Sequence, residues 1–371
     1  MPKEKKLIAM LGGGQLGLMF TEIAQKMGEK VLILDPDSDC PAGKIADEFV
    51  NAKYSDKKAL QYIAENCASC TTEFENIPCE TLEILEKEIN VFPNSGALKI
   101  SQNRILEKKF LTEQDIQTTE YFEITSEKEL DNLKNIKSWP YILKTSTFGY
   151  DGKGQIIVNN FKELKKAYQV LGTNNFILEK KVILKKEVSQ IAACYDDRII
   201  FLPISENIHV NNILHKSTVP AKISAVTDME IKNTTKTIVN SLNYKGIICV
   251  EYFIDDNDNI LVNEIAPRTH NSGHYSIEGC NISQFEHQVR ILTKQHPSIS
   301  ELKNSSVMIN LLGDLWTSNA PDFSQANKAN IFLHLYNKSL PKAGRKMGHV
   351  TIVDSDLGSA EIIADKFYEN L

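Results

Sequence analysis

At 371 residues, 42% of them hydrophobic and 24% charged, the chain carries more apolar material than one ordinary core holds, and its length suggests two or three domains of about 150 residues each. A formal net charge of −6 argues against a nucleic-acid or anionic-membrane surface as the main partner, so an anionic ligand must be held by local cations. No apolar run approaches the roughly 20 residues that a membrane span needs.

The opening MPKEKKLIAMLGGGQLGLMF runs from basic to apolar, but consecutive glycines interrupt it and no small-residue cleavage site follows, which points to a cytoplasmic protein. Seven cysteines, scattered from Cys40 to Cys280, fit reduced thiols better than a disulfide framework. Cys67 and Cys70 form a CxxC without a second pair or a histidine cluster to complete a zinc site.

In chain order, LIAML predicts a strand over 7–11, GGGQLG a turn, Leu18 to Lys26 a helix, and VLILD a second strand ending at Asp35. This is one βαβ unit. ADEFV, a helix over 57–66, SCTTEFENIP, a helix over 79–88 and VFPNSGAL extend the pattern into an open α/β domain. A helix within QNRILEKKFLTEQ then leads into strands at YILKTS, QIIVN, FILEKKV, EVSQIAACYD and RIIFLPI, with a helix at FKELKKAYQVL. A helix over 228–242, a hairpin over 247–265 and a helix over 283–293 complete this α+β region. The tail has strands at SVMINLLG, NIFLHLY and HVTIVD and a last helix, and is too small to be stable without packing on the rest.

Three motifs carry chemistry. Gly12-x-Gly14-x-x-Gly17, with Asp35 at the next strand's end, satisfies the dinucleotide fingerprint, so an NAD-dependent oxidoreductase is one reading and glycines that merely pack strand on helix another. LKTSTFGYDGKGQIIV sets a glycine- and lysine-bearing loop, Gly149 to Gln155, between two strands with Lys144 on the incoming one. That context suits a flexible phosphate cover, or else a tight glycine hairpin, but not a Walker A loop. The third motif is the hairpin, whose DDNDN turn sets Glu251 opposite Glu264. Two carboxylates about 4 Å apart at an effective dielectric near 20 repel by roughly 4 kcal/mol. A cation between them removes the conflict, and magnesium on a nucleoside triphosphate suits so few oxygen ligands; a register slip by one residue would instead turn both acids to water.

GGGQLG, TTEFENIP, GYDGKGQ, ENIH, VNEIAPRTHNSGH, SQFE, NLLG and GRKMGHV occur in the order found in the N5-carboxyaminoimidazole ribonucleotide synthases, ATP-grasp enzymes of purine synthesis, and the chain resembles that family nearly end to end. The resemblance implies a Rossmann-like pre-ATP-grasp domain over 1–100, a two-lobed ATP-grasp domain over 101–296, a small β-rich C-terminal domain over 297–371, and a homodimer. It implies ATP and magnesium as cofactors and carboxylation of 5-aminoimidazole ribonucleotide by bicarbonate through carboxyphosphate. The neighbouring alternative is another carboxylate-amine ligase, of the formate-dependent glycinamide ribonucleotide transformylase type, which the ATP end separates poorly.

Carried over by position, Arg104, Lys144, Gly149, Tyr150, Asp151, Gly152, Lys153, Gly154 and Gln155 resemble the nucleotide and phosphate contacts. Glu179, Lys180, Lys181 and Val182 resemble the adenine hinge and Glu187 the ribose acid, with His209 nearby. Asn263, Glu264 and Glu251 make the magnesium end. Gln15 and Leu16 of the glycine turn, Glu73, Tyr150 and Asp151 would meet the ribonucleotide, Asp151 orienting or deprotonating its amine. Arg268, His270 and Asn271 would hold bicarbonate, while Lys338, Arg345 and Lys346 would converge on the 5′-phosphate. The sequence departs from the family pattern at Leu18, at TSTF before Gly149 and at Asn337.

Overall fold

The computed structural model describes residues 6–147, 149, 154–172, 175–317 and 320–371. The first region contains β1 (Leu7–Leu11), α1 (Gln15–Lys26), β2 (Lys30–Asp35), β3 (Glu48–Asn51), α2 (Lys57–Asn66), β4 (Cys67–Thr72), α3 (Cys79–Leu85), β5 (Asn90–Val91) and α4 (Ser95–Ser101). Its strands form a parallel sheet in the order β3-β2-β1-β4-β5.

Side chains of a strand alternate between faces, and here both faces are covered. Leu7, Ala9, Leu11, Leu32 and Leu34 pack with residues of α2, α3 and α4, whereas Ile8, Met10, Val31 and Ile33 pack with Leu16, Met19 and Phe20 of α1 and with Phe285 and Val289 from far along the chain. The chain winds from β1 outward to β2 and β3, then returns to place β4 on β1's other side. The C-terminal ends of β1 and β4 therefore flank a topological switch point, where ligands of such sheets bind.

The next stretch contains α5 (Arg104–Glu113), β6 (Tyr121–Ile124), α6 (Glu127–Asn132), β7 (Tyr141–Thr145), β8 (Gln155–Val158), α7 (Phe161–Leu171) and β9 (Phe176–Lys180). Its antiparallel sheet, β6-β9-β7-β8, has its own core around Tyr141, Leu143, Leu164, Phe176 and Leu178. The remainder contains β10 (Leu184–Tyr195), β11 (Arg198–Phe201), β12 (Ser205–Val210), β13 (Ile213–Val219), α8 (Ala225–Ser241), β14 (Gly246–Asp255), β15 (Ile260–Ala266), α9 (Ser276–Gly279), α10 (Gln284–Leu292), β16 (Ser305–Leu312), β17 (Ile331–Leu335), β18 (Lys346–Asp354) and α11 (Leu357–Glu369). These strands build one sheet in the order β15-β14-β10-β12-β13-β16-β18-β17, with β11 on β10. The tail strands extend the central sheet, since β16 pairs with β13, so the small tail gains its stability by sharing that sheet.

The β12–β13 hairpin is absent from the sequence reading, as are β6 and α6. Its signal is Asn211-Asn212, both at positive φ (52° and 63°), the two-residue turn that matches strand twist and that asparagine tolerates. Helix α1 starts at Gln15 rather than Leu18 because a distant carboxylate, Glu73, accepts from the amides of Gly14 and Leu16.

Helix α10 buries His287 completely, with neither ring nitrogen hydrogen-bonded among the described residues. Burial, helped by Arg290, pushes its imidazole down to about 4. A depressed histidine contributes stability that is present above the unfolded value near 6.5 and is lost as pH falls toward the folded one. Urea titrations of wild type and His287→Gln should therefore differ in acid sensitivity, the wild type losing about 2 kcal/mol more between pH 7.5 and 5. Parallel pH profiles would contradict the burial of a neutral ring.

Candidate active site

A cavity of about 1110 Å³ opens where the switch point of the parallel sheet, the small antiparallel sheet and the β14–β15 hairpin meet. The hairpin supplies its most charged wall. Cys249 pairs with Ala266, Val250 with Ile265 and Glu251 with Glu264, after which the register shifts and Tyr252 pairs with Val262. Directly opposed residues share a face, so both carboxylates point the same way, into the cavity. Burial and the neighbouring Glu264 raise the Glu251 carboxyl well above the usual range, while His209 and Arg268 partly offset them. Arg104 of α5 stands 3.6 Å from Glu264, and its other terminal nitrogen donates to the carbonyl of Gly149 at 3.4 Å.

The small sheet presents Lys144 from β7 and Glu179 from β9, paired at 2.6 Å. Burial opposes the charge on Glu179, but Lys144, Lys108 and Arg104 prevail and hold it at about 2. Lys180, Lys181, Val182 and Glu187 line the adjoining wall. Glu187 pairs with His209; burial opposes the charge on this imidazole, but Glu187 together with Glu251 and Glu264 prevails and raises it. Gly149 and Gln155 line the cavity, and the Gly154 carbonyl accepts from the Thr145 amide at 2.9 Å. Tyr150, Asp151, Gly152 and Lys153 lie outside the described residues.

The segment after β15 is locked by α10. The Gln284 side chain accepts from the His270 amide and donates to its carbonyl, both at 2.8 Å. Gly273 packs so closely that a Cβ would come within 2.2 Å of Ile191. The Ser272 hydroxyl sits 2.8 Å from His270 Nδ1, leaving Nε2 3.3 Å from a Glu251 oxygen. Arg268 pairs with Glu75 at 2.6 Å and donates to the Thr269 carbonyl at 3.0 Å. Its Nε, and both polar atoms of the Asn271 side chain, are buried without a hydrogen bond among the described residues. Arg268, His270 and Asn271 all line the cavity beside the opposed carboxylates, while the two orphaned donors and the orphaned acceptor are themselves closed to solvent. Buried polar atoms of this kind demand a partner.

The glycine turn is not arranged for a dinucleotide. Glu73 takes the amides of Gly14 (2.5 Å) and Leu16 (3.0 Å), the donors a pyrophosphate would need, and a Cβ on Gly14 would come within 2.5 Å of its Oε1. Asp35 accepts from the Gly13 amide (2.7 Å) and the Tyr54 hydroxyl (3.0 Å). The dinucleotide reading is thereby corrected: its acid and its helix start are engaged within the protein. Glu73 still borders the cavity with Gln15 and Leu16.

Of the three tail cations, two stay together. Lys338 donates to Gln15 (2.7 Å) and to the Lys346 carbonyl (2.8 Å), and Lys346 lines the cavity. Arg345 departs from the expected convergence, since its guanidinium donates to the Leu340 carbonyl at 2.8 Å, folding back on its own loop. Glu75, Glu107 and Lys108 were missed by the sequence reading; the one local signal for the last two is a cluster of charges, at 104, 107 and 108, on a single face of α5.

Two same-face carboxylates with phosphate oxygens completing the shell suit magnesium, and among the described residues no cluster of three or more His, Cys, Asp or Glu could hold an ion by protein ligands alone. No helix of the described residues is long and apolar enough to cross a membrane.

Three family models match the chain: the ribonucleotide synthetase preATP-grasp domain over 5–102, the ATP-grasp domain over 109–285 and the phosphoribosylaminoimidazole carboxylase C-terminal domain over 306–362. The chain is 40% identical over 356 residues to an N5-carboxyaminoimidazole ribonucleotide synthase of Staphylococcus aureus, covering 95% of this chain and 94% of that one. A Staphylococcus aureus N5-carboxyaminoimidazole synthetase complexed with ADP superposes with a TM-score of 0.91 at 40% identity, over 98% of this chain and 97% of the other. An Aspergillus clavatus N5-carboxyaminoimidazole synthase in complex with ADP and 5-aminoimidazole ribonucleotide superposes with a TM-score of 0.89 at 28% identity, over 98% of each chain.

Proposed function

From the premise that this chain belongs to the N5-carboxyaminoimidazole ribonucleotide synthase family of ATP-grasp ligases, we propose how its own residues divide the reaction. ATP lies between the small sheet and the hairpin, with Lys144 and the glycine loop at the phosphates, Glu179 to Val182 and Glu187 toward the nucleoside, and Arg104 and Asn263 at the phosphate end. Glu251 and Glu264 hold magnesium, which when bound offsets the charge of the nucleotide phosphates. Arg268, His270 and Asn271 hold bicarbonate, so that its oxygen attacks the γ-phosphorus and ADP leaves. The exocyclic amine of 5-aminoimidazole ribonucleotide then takes the carboxyl group of carboxyphosphate and phosphate leaves, with Asp151 orienting the amine or accepting its proton. Positioning and electrostatics carry this catalysis.

The observation that carries the reading is the juxtaposition in one cavity of the Glu251–Glu264 pair with Arg268, His270 and Asn271. A cytoplasmic homodimer completes the proposal. ADP formation assayed with ATP, bicarbonate and the ribonucleotide, each omitted in turn, should need all three, and formate should not replace bicarbonate. ADP formation that follows formate instead would move the chain to the transformylase class, and ribonucleotide-independent NADH oxidation would move it out of the ligases.

Gln15, Leu16, Glu73, Lys338 and Lys346 are assigned to the ribonucleotide, Lys338 and Lys346 at its phosphate. A charge-assisted contact is worth roughly 1.5 to 3 kcal/mol, so Lys338→Ala should raise KM for the ribonucleotide about tenfold or more and leave KM for ATP nearly unchanged. Arg345→Ala should have the smaller effect, its guanidinium being turned to Leu340. The reverse ranking would return the phosphate to Arg345.

A further inference from the structure

In a regular strand Asn263 and Glu264 would point to opposite faces, yet both line the cavity. The register shift explains this. Glu251 pairs with Glu264 and Tyr252 with Val262, which leaves Asn263 as the extra residue of a β-bulge, and a bulge interrupts alternation and strips nearby backbone groups of ladder partners.

β15 is the edge strand of its sheet, and the backbone groups on its free side around the bulge are taken by α5 and by Thr118. Lys108 donates to the Asn263 carbonyl at 2.9 Å, the Val262 carbonyl at 3.3 Å and the Thr118 hydroxyl at 2.6 Å, and Thr118 donates to the Val262 carbonyl at 2.8 Å. Glu107 accepts from the Ile265 amide at 2.6 Å. The backbone on both sides of Asn263 and Glu264 is thus held by two side chains that are themselves 1% and 2% exposed. Burying a lysine and a glutamate is expensive unless each meets partners of fixed geometry, and here the partners are backbone groups on the free edge of β15.

We propose that Glu107 and Lys108 are positioning residues that hold the β15 bulge open, so that Asn263 and Glu264 both face the metal-bound end of the nucleotide. The inference rests on the reading of that wall as the magnesium-nucleotide site. Lys108→Met in the full chain should raise the magnesium concentration for half-maximal nucleotide binding about tenfold, weaken nucleotide binding in EDTA by much less, and speed amide exchange at Ile265 in metal-free protein. Thr118→Val should do the same more weakly, about threefold, and serves as the readout if Lys108→Met does not fold. Lys108→Arg, which keeps the donors, should recover part of the loss.

Wild-type magnesium dependence and wild-type exchange at Ile265 in both Lys108→Met and Thr118→Val would overturn the proposal. An equal loss of nucleotide with and without magnesium would overturn it too, since the defect would then be global. Glu264→Gln separates the two levels: if it abolishes the magnesium dependence while Lys108→Met and Thr118→Val leave it intact, only the positioning role falls; if Glu264→Gln leaves the dependence intact, the metal reading falls and the proposal with it.

Discussion

Glu264→Gln is expected to lower ADP formation by about a hundredfold or more while leaving the protein folded and at least as stable as wild type. The side chain lies directly across the hairpin from Glu251, and burial together with this neighbour is what pushes the Glu251 carboxyl upward. Replacing the charge with an isosteric amide removes that repulsion and a magnesium ligand together. The loss of the Arg104 partner, at 3.6 Å, is a minor opposing effect because the pair is long and partly exposed. Thermal unfolding and a magnesium titration check the two halves separately. Near-wild-type turnover at saturating magnesium would contradict the metal assignment, and a large drop in stability would contradict the account of the opposed charges.

Arg268→Lys is expected to lower carboxylated product by about a hundredfold, mostly through bicarbonate, with ADP affinity unchanged. Lysine preserves a cation for Glu75, which Arg268 meets at 2.6 Å, so the fold keeps its ion pair. It cannot also reproduce the planar fork whose buried Nε lacks a partner among the described residues. The bicarbonate saturation curve and a nucleotide titration distinguish the outcomes. An unchanged bicarbonate curve would reduce Arg268 to a strut that ties the hairpin to the segment after β4.

Much of this site is legible in the sequence because the local patterns are strong. The apolar runs ending at Asp35 and Ala266, the DDNDN turn and the density of charge after Glu264 place the hairpin and its opposed acids, and the pairing of Glu251 with Glu264 follows. The count fails one residue further on, at the Asn263 bulge, because the groups that hold it come from α5, with Lys108 separated from Asn263 by 155 positions. Glu73 is a similar case. Its role as the cap of α1 depends on a contact across 59 positions, so the glycine turn alone reads as a dinucleotide site when its amides are already taken. The Arg345 guanidinium lies apart from the two lysines for a local reason, since a short loop lets it reach its own chain at Leu340. The β12–β13 hairpin was within reach, its Asn-Asn turn being a recognised signal for positive φ.

The central claim is that bicarbonate is phosphorylated on the wall shared by Glu251, Glu264 and Arg268. Bicarbonate labelled with oxygen-18 tests it directly in a single-turnover reaction with ATP and 5-aminoimidazole ribonucleotide. Attack of a bicarbonate oxygen on the γ-phosphorus leaves one labelled oxygen in the phosphate released, and that is the expected mass shift. Unlabelled phosphate alongside carboxylated product would mean that ATP is cleaved without a carboxyphosphate intermediate and would contradict the assignment.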